Sequence, residues 1–123
     1  MLFLATYLGF EAYAIRKVSH RTKPAYIHNL MLEAQSAVQR CQFEVKPLEE
    51  RFAKTLERVR LNYQRDIEEG NPELSATAIV QQLAHRSTEA QQRVTESINT
   101  TGCDSKEAKA HLQRYRIYAR RTR

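Results

Sequence analysis

Tryptophan is missing from this sequence, and glycine and proline are scarce, at three apiece in 123 residues. Glycine and proline are the usual punctuators of a chain, so few tight turns are available. That excludes a meander of short strands, and strand-type alternation of β-branched and aromatic residues is nearly absent as well. With two cysteines, far apart in the sequence, a disulfide framework or a zinc site is not expected, and both are read as reduced thiols. His20, His28, His85 and His111 share no ligand spacing with one another or with either cysteine, and are read as surface or interface histidines. No glycine-rich phosphate loop or nucleophile motif occurs. The expectation is a chain with no catalytic residues, cofactor, metal or small-molecule substrate.

What is present favours helix: alanine, glutamine, glutamate, lysine and arginine in abundance. Charged residues make up 28% and the mean hydropathy is −0.65, which suggests extended helices and much polar surface, with little self-sufficient core. The net charge of +6 is unevenly spread. Residues 16–43 carry +4 and residues 104–123 carry +5, and the middle is slightly acidic. Anionic partners should meet those two basic blocks.

The opening MLFLATYLGFEAYAI is apolar on every side of a helical wheel, with Glu11 inside it. A secretory signal fits poorly, because no cation precedes the run and Glu11 sits near the small residues Ala12 and Ala14. Residues 1–18 make about 27 Å of helix, just under the hydrocarbon thickness. Six large apolar side chains contribute about −3 kcal/mol to insertion and one central charge returns about as much. Such a helix is stable in lipid when Glu11 is protonated or meets a polar neighbour. Ala5, Gly9 and Ala12 offer a small-residue face for that neighbour. Residues 1–18 are therefore expected to be a membrane-embedded anchor, followed by a basic linker, 19–24. Arg16, Lys17, Arg21 and Lys23 place the body on the cytoplasmic or matrix side and in reach of anionic lipid.

Beyond Pro24, apolar residues recur at Ile27, Met31, Ala34, Val38, Cys41, Val45, Leu48 and Phe52. Steps alternating between four and three predict a helix with one seam against a partner helix, formed by Ile27, Met31, Val38, Val45, Leu48 and Phe52. The helix is expected over 25–69, kinked or broken near Pro47; unbroken it would reach about 68 Å. EEGNPELS is the clearest break, with Ser75 as N-cap and Leu74 and Ile79 as a hydrophobic staple. A returning helix is predicted over 73–100, folded back on residues 48–69 as a hairpin. DSKE at 104–107 then opens a basic helix over 104–121. Its Arg114, Arg116, Arg120 and Arg121 suit lipid or an acidic partner, and the interleaved Tyr115 and Tyr118 raise base stacking on RNA as the less favoured alternative. The expected fold is all-α: a membrane-embedded helix, a long bent amphipathic helix, a helical hairpin and a short basic helix.

This plan, an apolar N-terminal helix and then the Ala/Gln/Glu/Arg-rich LMLEAQSAVQRCQFEVKPLEERFAKTLERVR, resembles the b-type peripheral-stalk subunits of rotary ATP synthases. The resemblance covers residues 1–69 and is one of layout. It implies a non-catalytic structural subunit of an energy-transducing complex, most simply of ATP synthase, in the mitochondrial inner membrane with its body in the matrix. A bacterial-type inner membrane with the body in the cytoplasm fits equally. Its partners would be other subunits of the complex and anionic lipid. A basic, helical, RNA- or ribosome-associated protein is the alternative.

Overall fold

A computed structural model of the chain describes residues 24–121. Four α-helices and one 3-10 turn make up its regular structure: α1 (Pro24–Cys41), the turn (Lys46–Leu48), α2 (Glu49–Gly70), α3 (Ala76–Thr101) and α4 (Lys106–Arg120). Among the described residues no helix is long and apolar enough to cross a membrane. The expected anchor and linker, with Ala5, Gly9, Glu11, Ala12, Arg16, Lys17, Arg21 and Lys23, lie outside the described residues.

The long helix expected over 25–69 is two helices: the break expected near Pro47 spans residues 42–48 and opens at Gln42. The Gln42 amide donates to Gln39 O (3.4 Å) and the Phe43 amide to Val38 O (3.1 Å). Those two bonds form a Schellman motif, which needs a left-handed residue after the last helical turn. Gln42 takes that place at φ 53°. Glycine is usual there because a Cβ costs about 1–2 kcal/mol in that conformation, so the sequence gives no warning. Packing supplies the missing preference: Phe43 closes over the cluster that contains Val38. Pro47 then lies in the 3-10 turn, and Glu49 and Glu50 occupy the first turn of α2, favourably for its dipole.

The remaining boundaries follow local chemistry. The Ser75 hydroxyl accepts from the Ala78 amide (3.1 Å), and Leu74 packs beside Ile79. Gly102, at φ 87°, ends α3. The cap of α4 is Ser105, whose hydroxyl accepts from the Ala108 amide (3.1 Å), one residue later than the Asp104 start expected from DSKE.

Helix α1 lies at the centre and touches the other three. Its Met31, Ala34 and Val38 join Val45, Phe52, Tyr115, Tyr118 and Ala119 in the main core cluster, with Ile27 and Leu48 packed against it. The seam predicted to face a partner is thus turned inward, and the chain has a core of its own. Period alone cannot tell these outcomes apart, because a 3.5-residue repeat records which face is apolar and not what covers it. A second cluster joins Tyr63 and Ile67 to Ile79 and Leu83 near the α2–α3 turn. Farther along, α3 leaves α2 and packs on α1, where the Glu33 carboxylate accepts from Arg93 at 3.0 Å. The expected hairpin of α3 on residues 48–69 is therefore limited to its corner.

A third cluster holds Ala37, Val94 and Ile98, with Cys41 and Cys103 against it. Here the expectation of reduced thiols fails. Cys41 and Cys103 form a disulfide across 62 residues, with Cα atoms 5.6 Å apart. Distance along the chain was a poor guide, because the end of α1 and the α3–α4 turn meet at the same end of the bundle.

Candidate functional site

Two surfaces carry features that the fold does not use up. The first is the groove left where α2 and α3 diverge above α1. It has a volume of about 390 Å³ and opens to solvent. Its floor comes from α1 as His28, Leu32 and Gln35, with Leu56 and Arg60 from α2 on one wall and Val80 and Leu83 from α3 on the other. The lining is mostly carbon, and Val80 is 58% exposed there, the most exposed large hydrophobic among the described residues.

His28 is the unexpected member. It was expected at the surface or an interface, yet it is only 3% exposed, inside the chain's own core. Its spacing to Met31 and Leu32 puts it on the buried face of α1, which was the signal available. The ring sits 5.4 Å from that of Tyr63, and Nδ1 is buried with no hydrogen-bond partner. Burial first, then the positive charges of Arg86 and Arg60, lower its pKa from 6.5 to about 4. Arg60 is held by the Glu57 carboxylate (2.6 Å) and donates to the Gln64 side-chain oxygen (2.9 Å). Arg86 lies over the Tyr63 ring, 5.4 Å from its centroid.

A histidine held neutral in the folded state makes stability depend on pH. The unfolded chain takes up its proton near pH 6.5 and the folded chain only near pH 4. Stability from this site is complete above about 6.5, falls as the pH drops through that window, and levels off below about 4. The full difference is on the order of 3 kcal/mol. Urea denaturation between pH 7 and pH 4 should show the decline, and His28→Leu should remove most of it. The half-buried His111, also lowered by burial and by Arg114, supplies a smaller slope of the same sign.

The second surface is α4. Tyr115 and Tyr118 point into the core, Tyr115 stacked on Phe52 at 3.9 Å between ring centroids. They are therefore withdrawn from the base stacking considered for RNA. The arginines stay outside: Arg120 and Arg121 are exposed, and Arg114 and Arg116 are half-buried. Among the described residues none of these four lies within ion-pair distance of a carboxylate, whereas Arg60, Arg93 and Lys54 all do. Arg121 instead caps the Tyr118 ring, and its carbonyl accepts from Arg58, which brings another cation to the same end.

Of the residues singled out in the sequence, the structure gathers Ile27, Met31, Val38, Val45, Leu48 and Phe52 into one core and leaves the four arginines outside it, Arg114 and Arg121 on one flank of α4 and Arg116 and Arg120 on the other. The groove and the disulfide were missed. No protein-family model, curated protein or solved structure matches the chain.

Proposed function

We propose that this chain is a non-catalytic helical subunit of a membrane complex, held to the bilayer by residues 1–18 and docked through the arginines of α4. The observation that carries the reading is this set of cations: among the described residues Arg114, Arg116, Arg120 and Arg121 have no carboxylate within ion-pair distance, on a helix whose tyrosines are committed to the core. A positive surface of this kind attracts an acidic subunit or anionic lipid. An energy-transducing complex such as ATP synthase remains the proposed setting. Within it, a compact bracket suits this chain better than a stalk, because the seam that a stalk would give to its partner helix is occupied internally.

The side of the membrane is proposed from the disulfide. Bridges persist in non-reducing compartments and are rare where thiols are kept reduced. The cations after residue 15 favour the opposite side. That charge rule is a bias on insertion, whereas the two cysteines are brought to bonding distance by the packing of three helices. We therefore propose that the body lies on the periplasmic or intermembrane side.

The test is extraction of the full chain from native membranes. Alkaline carbonate should leave it in the pellet, and mild detergent should release it in a particle far larger than 14.4 kDa. Replacing Arg116, Arg120 and Arg121 by Glu should keep membrane retention but shrink the particle toward the monomer. Recovery of the wild-type chain as a monomer in a high-speed supernatant removes the proposal.

A further inference from the structure

The groove over α1 has the form of a binding site that the scaffold reading does not need. Helix α1 runs along its floor from His28 to Gln35, about 10 Å at 1.5 Å per residue. Helix α2 returns antiparallel, so that Arg60 lies near the His28 end, and α3 runs with α1, so that Val80 lies at that end too. The slot is therefore graded. Its middle is apolar, with Leu32, Leu56 and Leu83, and one end collects His28 and Arg60, with Arg86 behind them over Tyr63.

Two independent features point to an occupant. The volume, about 390 Å³, lies within the range of small-molecule sites, and its apolar wall is left open to water at Val80. A buried imidazole with an unpartnered nitrogen sits at the floor of the same slot. Leaving such a group unsatisfied costs about 1–3 kcal/mol, and a ligand that supplies the partner recovers it. A half-turn about χ2 exchanges the two edges of the ring, so either nitrogen can be presented. The charge at this end has one sign in excess: Glu57 offsets Arg60, and Arg86 has no carboxylate within ion-pair distance among the described residues.

We propose that the groove binds a single-chain anionic amphiphile, its acyl chain along Leu32, Leu56 and Leu83 and its acidic head at His28 and Arg60 beside Val80, with the positive charge of Arg86 behind them. A carboxylate or phosphate head accepts from the imidazole N–H and from guanidinium groups, which is the geometry those donors favour. A free fatty acid and a lysophospholipid share this chemistry. The site does not depend on the membrane-subunit reading, and either can fail alone.

The full chain in phosphatidylcholine nanodiscs, titrated with decanoate carrying carboxyl ¹³C, should show saturable one-to-one binding by NMR. Decanol and decyltrimethylammonium should bind at least tenfold more weakly. Val80→Glu, at an exposed position where folding is little affected, should weaken decanoate at least tenfold, and His28→Gln should move the bound carboxyl resonance. Circular dichroism of both variants establishes that they fold. Mass spectrometry of organic extracts from the purified chain separates the sources: free acid in one case, lysophospholipid in the other. The proposal is overturned by non-saturable binding, by equal affinity for decanoate and decanol, or by a folded Val80→Glu chain that binds as the wild type does.

Discussion

Reducing the Cys41–Cys103 bridge, or replacing both cysteines by serine, should lower the stability of the bundle by about 4 kcal/mol. The figure follows from loop closure: the bridge spans 62 residues, and the entropy it removes from the unfolded chain falls between the roughly 3 kcal/mol of a 15-residue loop and the roughly 5 kcal/mol of a 100-residue loop. A domain of this size is typically stable by only 5–15 kcal/mol, so the bridge accounts for a large share. The native structure adds a local reason. The cluster beside the bridge contains only Ala37, Val94 and Ile98 as buried residues, too little apolar surface to hold the end of α1 against the α3–α4 turn firmly. Urea midpoints with and without reductant measure the effect, and the double serine variant should no longer respond to reductant. A wild-type midpoint that reductant leaves unmoved would show that the bridge does not form.

Phe52→Ala should cost a similar amount, about 4 kcal/mol. Phe52 is 1% exposed, sits among residues of three helices and stacks on Tyr115. Truncating a buried phenylalanine typically costs 3–5 kcal/mol, from lost transfer energy and the cavity left behind. The aromatic pair itself contributes about 1 kcal/mol of that, which a double-mutant cycle with Tyr115→Leu isolates. Ile117→Ala on the outer face of α4, at 39% exposed, is the control and should change stability by less than about 0.5 kcal/mol. The comparison also decides between two uses of one sequence pattern. A seam reserved for a partner helix would leave the isolated chain's stability nearly unchanged by Phe52→Ala, and the loss would appear only in assembly.

Much of the local structure was legible in the residues. Ser75 with Leu74 and Ile79 marked the start of α3, Gly102 its end, and Glu49 and Glu50 the first turn of α2, because capping and dipole effects act within a turn or two of chain. The apolar face of α1 and α2 was legible too, down to the residues of the main cluster. What failed was whatever depended on residues distant in sequence. The spacing of His28 to Met31 and Leu32 marks the buried face of α1, but what surrounds the ring, Tyr63, Arg60 and Arg86, lies more than thirty positions away. The same limit hid the groove, which exists only because α2 and α3 diverge above α1.

By itself, then, the sequence determined that this chain is helical, where most of its helices start and stop, and which faces avoid water, since backbone propensity, capping and periodicity are properties of neighbouring residues. Only the tertiary structure decided that the apolar seam covers itself, that a glutamine reverses the chain, that two remote cysteines bond and that a histidine is held neutral. Each of those is an energy of groups brought together by packing, whereas a local pattern, such as the spacing of His28 to Met31, records which face is apolar and not what covers it.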